Sequence, residues 1–340
     1  MKAAVYKAPR RLEVEEVPTP VPGPGQVLVK VRYCAICGSD VHRYQHGIMK
    51  EGAIMGHEYC GVITELGDGV DQWQVGERVV GGGGNPPAGV PHHPSVLPRF
   101  SYRTYSVTPQ PQMAYAEYVV MDAWRPLPIP EGVSDEAACL TEPSSVAVHA
   151  VRLSGLKLRD KVAVIGAGPI GLFCLQAAKA AGAGAVIVSE PVPLRREAAV
   201  KLGADHILDP SSGDVVDDVV RITDGLGPDV VFETAGVGPT LQQALEMARR
   251  GGMVVAAGVS WNPVPVTSAD WFGREVVMKA IYGSTPDEWG YSLLLMKEGK
   301  IRVEPMLTGK AFVPLDEIQE AFEKLMTPAG ASEIQVIVVP

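Results

Sequence analysis

The sequence has no uninterrupted apolar run near the roughly eighteen residues that a membrane-crossing helix needs. Its first residues, Met1 to Glu16, carry Lys2, Lys7, Arg10 and Arg11 and hold no apolar stretch of the kind a secretory leader uses. A transmembrane helix and a secretory leader are therefore not expected, and the cytoplasm is the expected compartment. Cysteine is scarce: Cys34, Cys37, Cys60, Cys139 and Cys174 make an odd, scattered set of five. A disulfide framework does not fit that set, which leaves thiols for packing or for a metal. Basic residues are outnumbered, with 30 Lys and Arg against 39 Asp and Glu, a formal net charge of −9. Nucleic acid and anionic membrane surfaces want a basic face, so neither is expected as a partner.

What is present is ordinary for a globular chain. The 340 residues are 46% hydrophobic and 20% charged. At roughly 150 residues per domain, two domains are expected. A chain of this length buries enough surface to fold without disulfides.

Three regions read differently. Residues 1–145 are rich in short strand patterns punctuated by Pro and Gly, such as Val27 to Val31 and Gly61 to Gly67. That spacing suggests a small β-barrel-like domain. Residues 146–284 alternate strand and helix. Val162 to Ile165, Ala185 to Val188, Asp229 to Glu233 and Met253 to Ala257 read as buried strands. Ile170 to Ala181, Leu194 to Leu202 and Thr240 to Ala248 read as helices between them. Apolar strands alternating with helices predict a parallel sheet covered on both faces, an α/β fold. Residues 285–340 hold a helical stretch at Leu315 to Met326 and a last strand at Ile334 to Val339, and are expected to return to the first domain. Gly81 to Pro111 is too rich in breakers for a regular element.

Gly166-Ala167-Gly168-Pro169-Ile170-Gly171 fits G-x-G-x-x-G. A strand precedes it, a helix follows it, and a second strand ends at Glu190, nineteen residues past Gly171. Glycines let backbone N–H groups approach a pyrophosphate at a helix N-terminus. An acid at the tip of the second strand accepts hydrogen bonds from ribose hydroxyls. A carboxylate at 190 repels a 2′-phosphate, which favours NAD over NADP, although Arg195 and Arg196 stand nearby.

Cys37-Gly38-Ser39-Asp40-Val41-His42, Gly56-His57-Glu58 and Thr141-Glu142-Pro143 together offer thiolate, imidazole and carboxylate, a set that suits zinc. Each alone has a plainer reading. Cys37 fits a small core residue, His57-Glu58 a solvated turn, and Glu142 a helix cap.

These pieces, with Tyr115-Ala116-Glu117-Tyr118-Val119 and Glu142-Pro143-Ser144-Ser145-Val146, resemble the zinc-dependent medium-chain dehydrogenase/reductase family. The similarity is to its polyol, butanediol and threonine dehydrogenase branch and spans nearly the whole chain. It implies a GroES-like β-barrel catalytic domain, built from both chain ends, around an inserted Rossmann domain. It implies Cys37, His57, Glu58 and Glu142 as metal ligands, with Glu58 also at the catalytic centre. Both carboxylates beside one thiolate would leave a zinc site formally negative, so one of them is expected to swing off. Ser39 resembles the family's relay hydroxyl and His42 the outer end of that relay. The dinucleotide site implied by the resemblance takes Gly166, Gly168, Pro169, Ile170, Gly171, Glu190, Arg195, Gly258, Val259 and Ile281.

The chain departs from the family in two places. The lobe of four Cys that holds a structural zinc in many members should fall within 81–111, which has no Cys. One catalytic zinc per chain is therefore expected, with no structural zinc. His92 and His93 stand in that stretch as solvated residues, or as residues of a lid or subunit contact. The second departure is Ile281-Tyr282-Gly283, where polyol-type members tend to carry Arg. This looks more like the threonine branch. Cys34, Cys60, Cys139 and Cys174 sit among apolar or small residues and read as packing.

The expected activity is NAD-dependent oxidation of a secondary alcohol to a ketone, and the reverse. The alcohol would be a polyol, diol, cyclitol or threonine-like molecule. The alternatives are a zinc-free quinone or enoyl reductase of the same fold, and a non-catalytic NAD-binding relative. Glu275 to Tyr282 reads as an apolar edge strand, and the resemblance implies that two such edges pair in a homo-oligomer, a dimer or tetramer.

Overall fold

The computed structural model describes residues 1–83 and 113–340. His92 and His93 lie outside the described residues. The chain divides into two compact units. The first comprises Met1–Glu142, Thr285–Lys297 and Leu307–Pro340; the second comprises Pro143–Ser284 and Glu298–Met306. Glu298–Met306 thus belongs to the second unit and interrupts the return expected over 285–340.

The first unit opens with a hairpin, β1 (Lys2–Ala8) against β2 (Arg11–Glu16). The long strand β3 (Gln26–Ala35) pairs antiparallel with β4 (Glu58–Leu66) and, on its other side, with β6 (Tyr118–Asp122). β4 continues to β5 (Arg78–Val80), which pairs β7 (Leu127–Pro128). Alternate β-branched residues of these strands, among them Val27, Val29, Ile63 and Val79, point into one core. Helix α1 (Gly38–His46) leaves the end of β3 and buries Tyr44 in that core. Two helices, α2 (Asp135–Cys139) and α3 (Thr141–Ser154), follow β7, and α3 belongs to the second unit from Pro143 onward. Ser134 caps α2 by accepting the Ala137 N–H at 3.2 Å.

The second unit is a six-stranded parallel sheet. In chain order its elements are β8 (Lys161–Ile165), α4 (Pro169–Ala180), β9 (Ala185–Ser189), α5 (Pro193–Lys201), β10 (His206–Leu208), α6 (Val215–Ile222), β11 (Val230–Glu233), α7 (Thr240–Met247), β12 (Met253–Ala256), α8 (Ser268–Phe272) and β13 (Val277–Ala280). The strands lie in the order β10-β9-β8-β11-β12-β13. Counted within the unit this is 3-2-1-4-5-6, the Rossmann order, with the reversal between β8 and β11. The expected strand over 275–282 is shorter than its apolar pattern, because Glu275 turns the chain at a φ of 54° and Val276 buries itself in the core. β10, α6 and α8 are not among the elements expected from the sequence, β10 being a three-residue strand with little pattern of its own.

The chain then forms α9 (Pro286–Lys297), β14 (Phe312–Pro314), α10 (Ile318–Leu325) and β15 (Ile337–Val339). β15 pairs antiparallel with the end of β3 and parallel with β14, completing the seven-stranded sheet of the first unit, in the order β14-β15-β3-β4-β5-β7 with β6 also paired to β3. No helix among the described residues is long and apolar enough to cross a membrane.

Candidate metal centre and dinucleotide loop

Strand register assembles the first site. Ala35, the last residue of β3, lies opposite Glu58, the first of β4. The chain needs only Ile36 to bring Cys37 beside the start of β4, which His57 immediately precedes. The ligand atoms of Cys37, His57 and Glu58 consequently lie within 4.8 Å of one another, the only such group of three among the described residues. Gly56 makes this entry possible. Its φ is +97°, and a Cβ there would lie 2.8 Å from Cys34 Sγ and from the Tyr115 ring.

Burial sets the electrostatics. Cys37 is the N-cap of α1, with Sγ accepting from the Ser39 N–H at 3.4 Å and from the Ser39 hydroxyl at 3.2 Å. Burial, then the charge of Glu58, pushes the Cys37 thiol up. Glu58 is 2% exposed. Burial, then the neighbouring Glu142 carboxylate, raises its carboxyl far above the usual range, to about 8. Its Oε2 is buried and finds no hydrogen-bond partner among the described residues. A buried acceptor without a donor is costly. A divalent cation among a thiolate, an imidazole and this oxygen would supply what is missing, so the donor set fits zinc.

Glu142 stands outside the 4.8 Å group. It is close enough to act on Glu58 electrostatically, and burial raises its own carboxyl as well. With Glu58 as the one carboxylate, a bound zinc would be formally neutral, without the excess charge that two carboxylates imply.

The sequence assigned no role to Asp40, which is fully buried behind His57. Asp40 Oδ2 lies 3.4 Å from His57 Nδ1. The Arg43 guanidinium reaches Oδ1 at 3.1 Å and the Tyr115 hydroxyl donates to Oδ2 at 2.8 Å. Burial works against the charged form of Asp40, yet His57, then Arg43 and Tyr115, hold it below the usual carboxylate range. Burial also works against a charged His57, but Asp40 and Cys37 hold its imidazole well above the ordinary value. A carboxylate behind a ligating histidine fixes its tautomer and orientation. Cys139 and Cys60 are buried thiols that clasp the same region. Cys139 Sγ donates to the Glu58 carbonyl at 3.4 Å, and Cys60 Sγ to the Asp135 carbonyl at 3.2 Å.

His42 lies one turn beyond Ser39 on α1 and is half-buried. Burial, then the neighbouring His46, lowers its pKa.

The second site is the loop between β8 and α4. A Cβ on Gly171 would sit 1.9 Å from the Gly166 carbonyl, so glycine lets the helix close onto the strand. Around Gly168 there is nothing within 4 Å of such a Cβ, and as N-cap of α4 it offers no side-chain cap. Uncapped first-turn N–H groups beside open space fit a pyrophosphate. Pro169 and Ile170 begin the helix. Glu190 accepts from the Ala167 N–H at 2.7 Å and from the Val192 N–H at 2.9 Å. A carboxylate has about four acceptor positions, so capacity remains for ribose hydroxyls. Arg196 is committed elsewhere: it donates to the Glu190 and Pro191 carbonyls and pairs Asp209 at 2.9 Å. Arg195 follows on the first turn of α5. Gly258 and Val259 follow β12, where Gly258 packs against Gly236. Ile281 follows β13 and donates its N–H to the Ala256 carbonyl at 3.1 Å.

A dinucleotide loop on a Rossmann sheet, in a chain whose other unit carries a Cys-His-Glu cluster, defines a zinc-binding dehydrogenase. The family model of the alcohol dehydrogenase GroES-like domain matches residues 23–131, and that of zinc-binding dehydrogenases matches residues 169–298. The chain is 34% identical over 336 residues to sorbitol dehydrogenase of Bacillus subtilis, covering 96% of this chain and 94% of that protein. It is 36% identical over 331 residues to L-threonine 3-dehydrogenase of Pyrococcus horikoshii, covering 92% and 91%. The crystal structure of 2R,3R-butanediol dehydrogenase from Bacillus subtilis superposes with a TM-score of 0.87 at 33% identity, covering 100% of this chain and 99% of the other. The chain belongs to the zinc-dependent medium-chain dehydrogenase/reductase family. It is an alcohol dehydrogenase of that family, with zinc and a nicotinamide dinucleotide as cofactors.

Proposed function

We propose that the protein oxidises a secondary alcohol to a ketone with NAD, and catalyses the reverse, using one zinc per chain. The carrying observation is the approach of Cys37, His57 and Glu58 ligand atoms to within 4.8 Å of one another. Those three residues would hold the metal, with the Glu142 carboxylate as a mobile fourth ligand. When bound, zinc supplies Lewis acidity toward a hydroxyl and the dinucleotide accepts a hydride. The chain's own groups manage the proton that the alcohol also loses. Ser39 Oγ, on the turn that presents Cys37, would accept that proton while passing on its own hydroxyl proton. His42, half-buried and with a lowered pKa, takes the proton onward to solvent. Asp40 keeps His57 oriented throughout.

NAD is preferred over NADP because Glu190 places a carboxylate at the end of β9, while Arg196 is already engaged. The substrate class is a polyol, vicinal diol, cyclitol or β-hydroxy amino acid resembling threonine. The working protein is a homo-oligomer joined through β13.

Purified protein should contain one zinc per chain and reduce NAD with at least one member of a panel of polyols, diols, cyclitols and L-threonine. Cys37→Ala should lose both the zinc and the turnover. Full activity in that variant, or two zinc ions per chain, would defeat the proposal.

A further inference from the structure

For His57 to serve as a metal ligand, one ring nitrogen must be free and the ring must be held in one orientation. Its Nδ1 faces Asp40 Oδ2 at 3.4 Å, which leaves Nε2 for a metal. Asp40 is itself 0% exposed, and a buried carboxylate is tolerable only if it is well supplied with donors. Arg43 supplies Oδ1. The oxygen that meets His57, Oδ2, receives the Tyr115 hydroxyl at 2.8 Å.

Tyr115 is built into this position. It is fully buried. Its ring meets Phe322 edge-on, with centroids 5.9 Å apart. The same ring lies against Gly56, the residue before His57, where a Cβ would come within 2.8 Å of it. The hydroxyl has one proton and two acceptors in reach, Asp40 Oδ2 at 2.8 Å and the Ala35 carbonyl at 3.3 Å. The ionised and nearer acceptor takes it, because charge-assisted hydrogen bonds are the stronger.

We infer that Tyr115 is a positioning residue for His57, acting through Asp40. Its hydroxyl pins Asp40 Oδ2 where that oxygen meets His57 Nδ1. The pinned carboxylate then selects the tautomer with Nδ1 protonated and Nε2 free. The inference rests on reading Cys37, His57 and Glu58 as metal ligands.

Tyr115→Phe keeps the ring and its contacts and removes only the hydroxyl. Zinc affinity of the full chain should be measured by competition with a chromophoric chelator, beside the visible spectrum of the cobalt-substituted protein. Tyr115→Phe should fold as the wild type does, bind zinc about 10–100-fold more weakly, and shift the cobalt bands. Asp40→Asn should weaken zinc at least as much, and adding Tyr115→Phe to it should change little further. Unchanged affinity and an unchanged cobalt spectrum in Tyr115→Phe would overturn the inference alone. So would losses that simply add in the double variant. A wild type that binds no zinc, or a Cys37→Ala that binds it undiminished, would overturn the metal reading and this inference with it.

Discussion

The carboxylate of Glu190 accepts the backbone N–H of Ala167 at 2.7 Å, tying the tip of β9 to the second residue of the glycine loop. One side chain therefore shapes the phosphate loop and offers acceptors to a ribose. Glu190→Ala should raise the KM for NAD about tenfold or more, since a hydrogen bond to a charged group is worth about 1.5–3 kcal/mol. The KM for NADP should rise less, because the same change removes repulsion of the 2′-phosphate. Steady-state kinetics with both cofactors decide this. A wild type that uses NADP more efficiently than NAD would contradict the assignment.

Ser39 Oγ lies 3.2 Å from Cys37 Sγ, at the head of the relay we propose to end on His42. Ser39→Ala should lower kcat by about 10²–10⁴-fold, the usual worth of a general acid–base step. Zinc content should hold. His42→Ala should do less harm, since water and buffer can replace an outer relay group. The sign of the pH effect follows from the direction of the His42 shift. With its pKa lowered, His42 stays neutral, and able to accept a proton, to a more acidic pH than an ordinary histidine would. The acid limb of the kcat profile should therefore fall below the ordinary histidine value, and His42→Ala should remove it. An unchanged kcat in Ser39→Ala would take Ser39 out of the mechanism.

All four residues of β13 are exposed, with Val277 at 47% and Met278 at 49%, and Phe272 nearby is 78% exposed. β13 ends the sheet and pairs with no further strand among the described residues, and an open apolar edge invites pairing. Two copies related by a two-fold axis would extend the sheet across the contact. Light scattering at micromolar concentration should give a mass of two or four chains. A mass equal to the 36.1 kDa chain would refute the edge contact. Met278→Lys should shift the protein toward monomer.

Glu323 on α10 joins three separated segments. It pairs the Arg10 guanidinium and accepts the Tyr44 hydroxyl at 2.7 Å. Arg10, then Tyr44, holds its carboxyl below the usual range. A carboxyl depressed in the folded state stabilises above its unfolded value, and that contribution fades as pH falls through the folded value. Glu323→Gln should lower Tm slightly near neutrality, because a solvent-exposed ion pair is worth little. The difference from wild type should vanish in acid. A difference that grows toward acid would refute this linkage.

Much of the fold was legible because its signals are local. β8, β9, β11 and β12 are short β-branched runs, and Gly166 to Gly171 punctuates the first of them, so period and turn chemistry sufficed. The ends of elements were less legible, as at β13, where the turn at Glu275 overrides an apolar pattern that runs on both sides of it. Of the candidate metal centre, Cys37 and His57 could be picked out by residue type and by resemblance. The roles of Asp40 and Tyr115 are not written in the sequence, although both lie inside the Cys37–His42 and Tyr115–Val119 motifs. Their hydrogen bond joins positions 75 residues apart, and no local pattern encodes such a pairing.

By itself, then, the sequence determined the parallel Rossmann unit, the glycine loop with its acid at 190, and the donor types available for zinc. Backbone preferences, periodicity and ligand chemistry are properties of neighbouring residues. Only the tertiary structure decided which donors meet. The register of β3 on β4 sets Ala35 opposite Glu58 and so gathers Cys37, His57 and Glu58, with Glu142 left outside the group. Packing then buried Asp40 behind His57 and closed Tyr115 and Arg43 around it, because a carboxylate removed from water must find its donors wherever the folded chain can bring them.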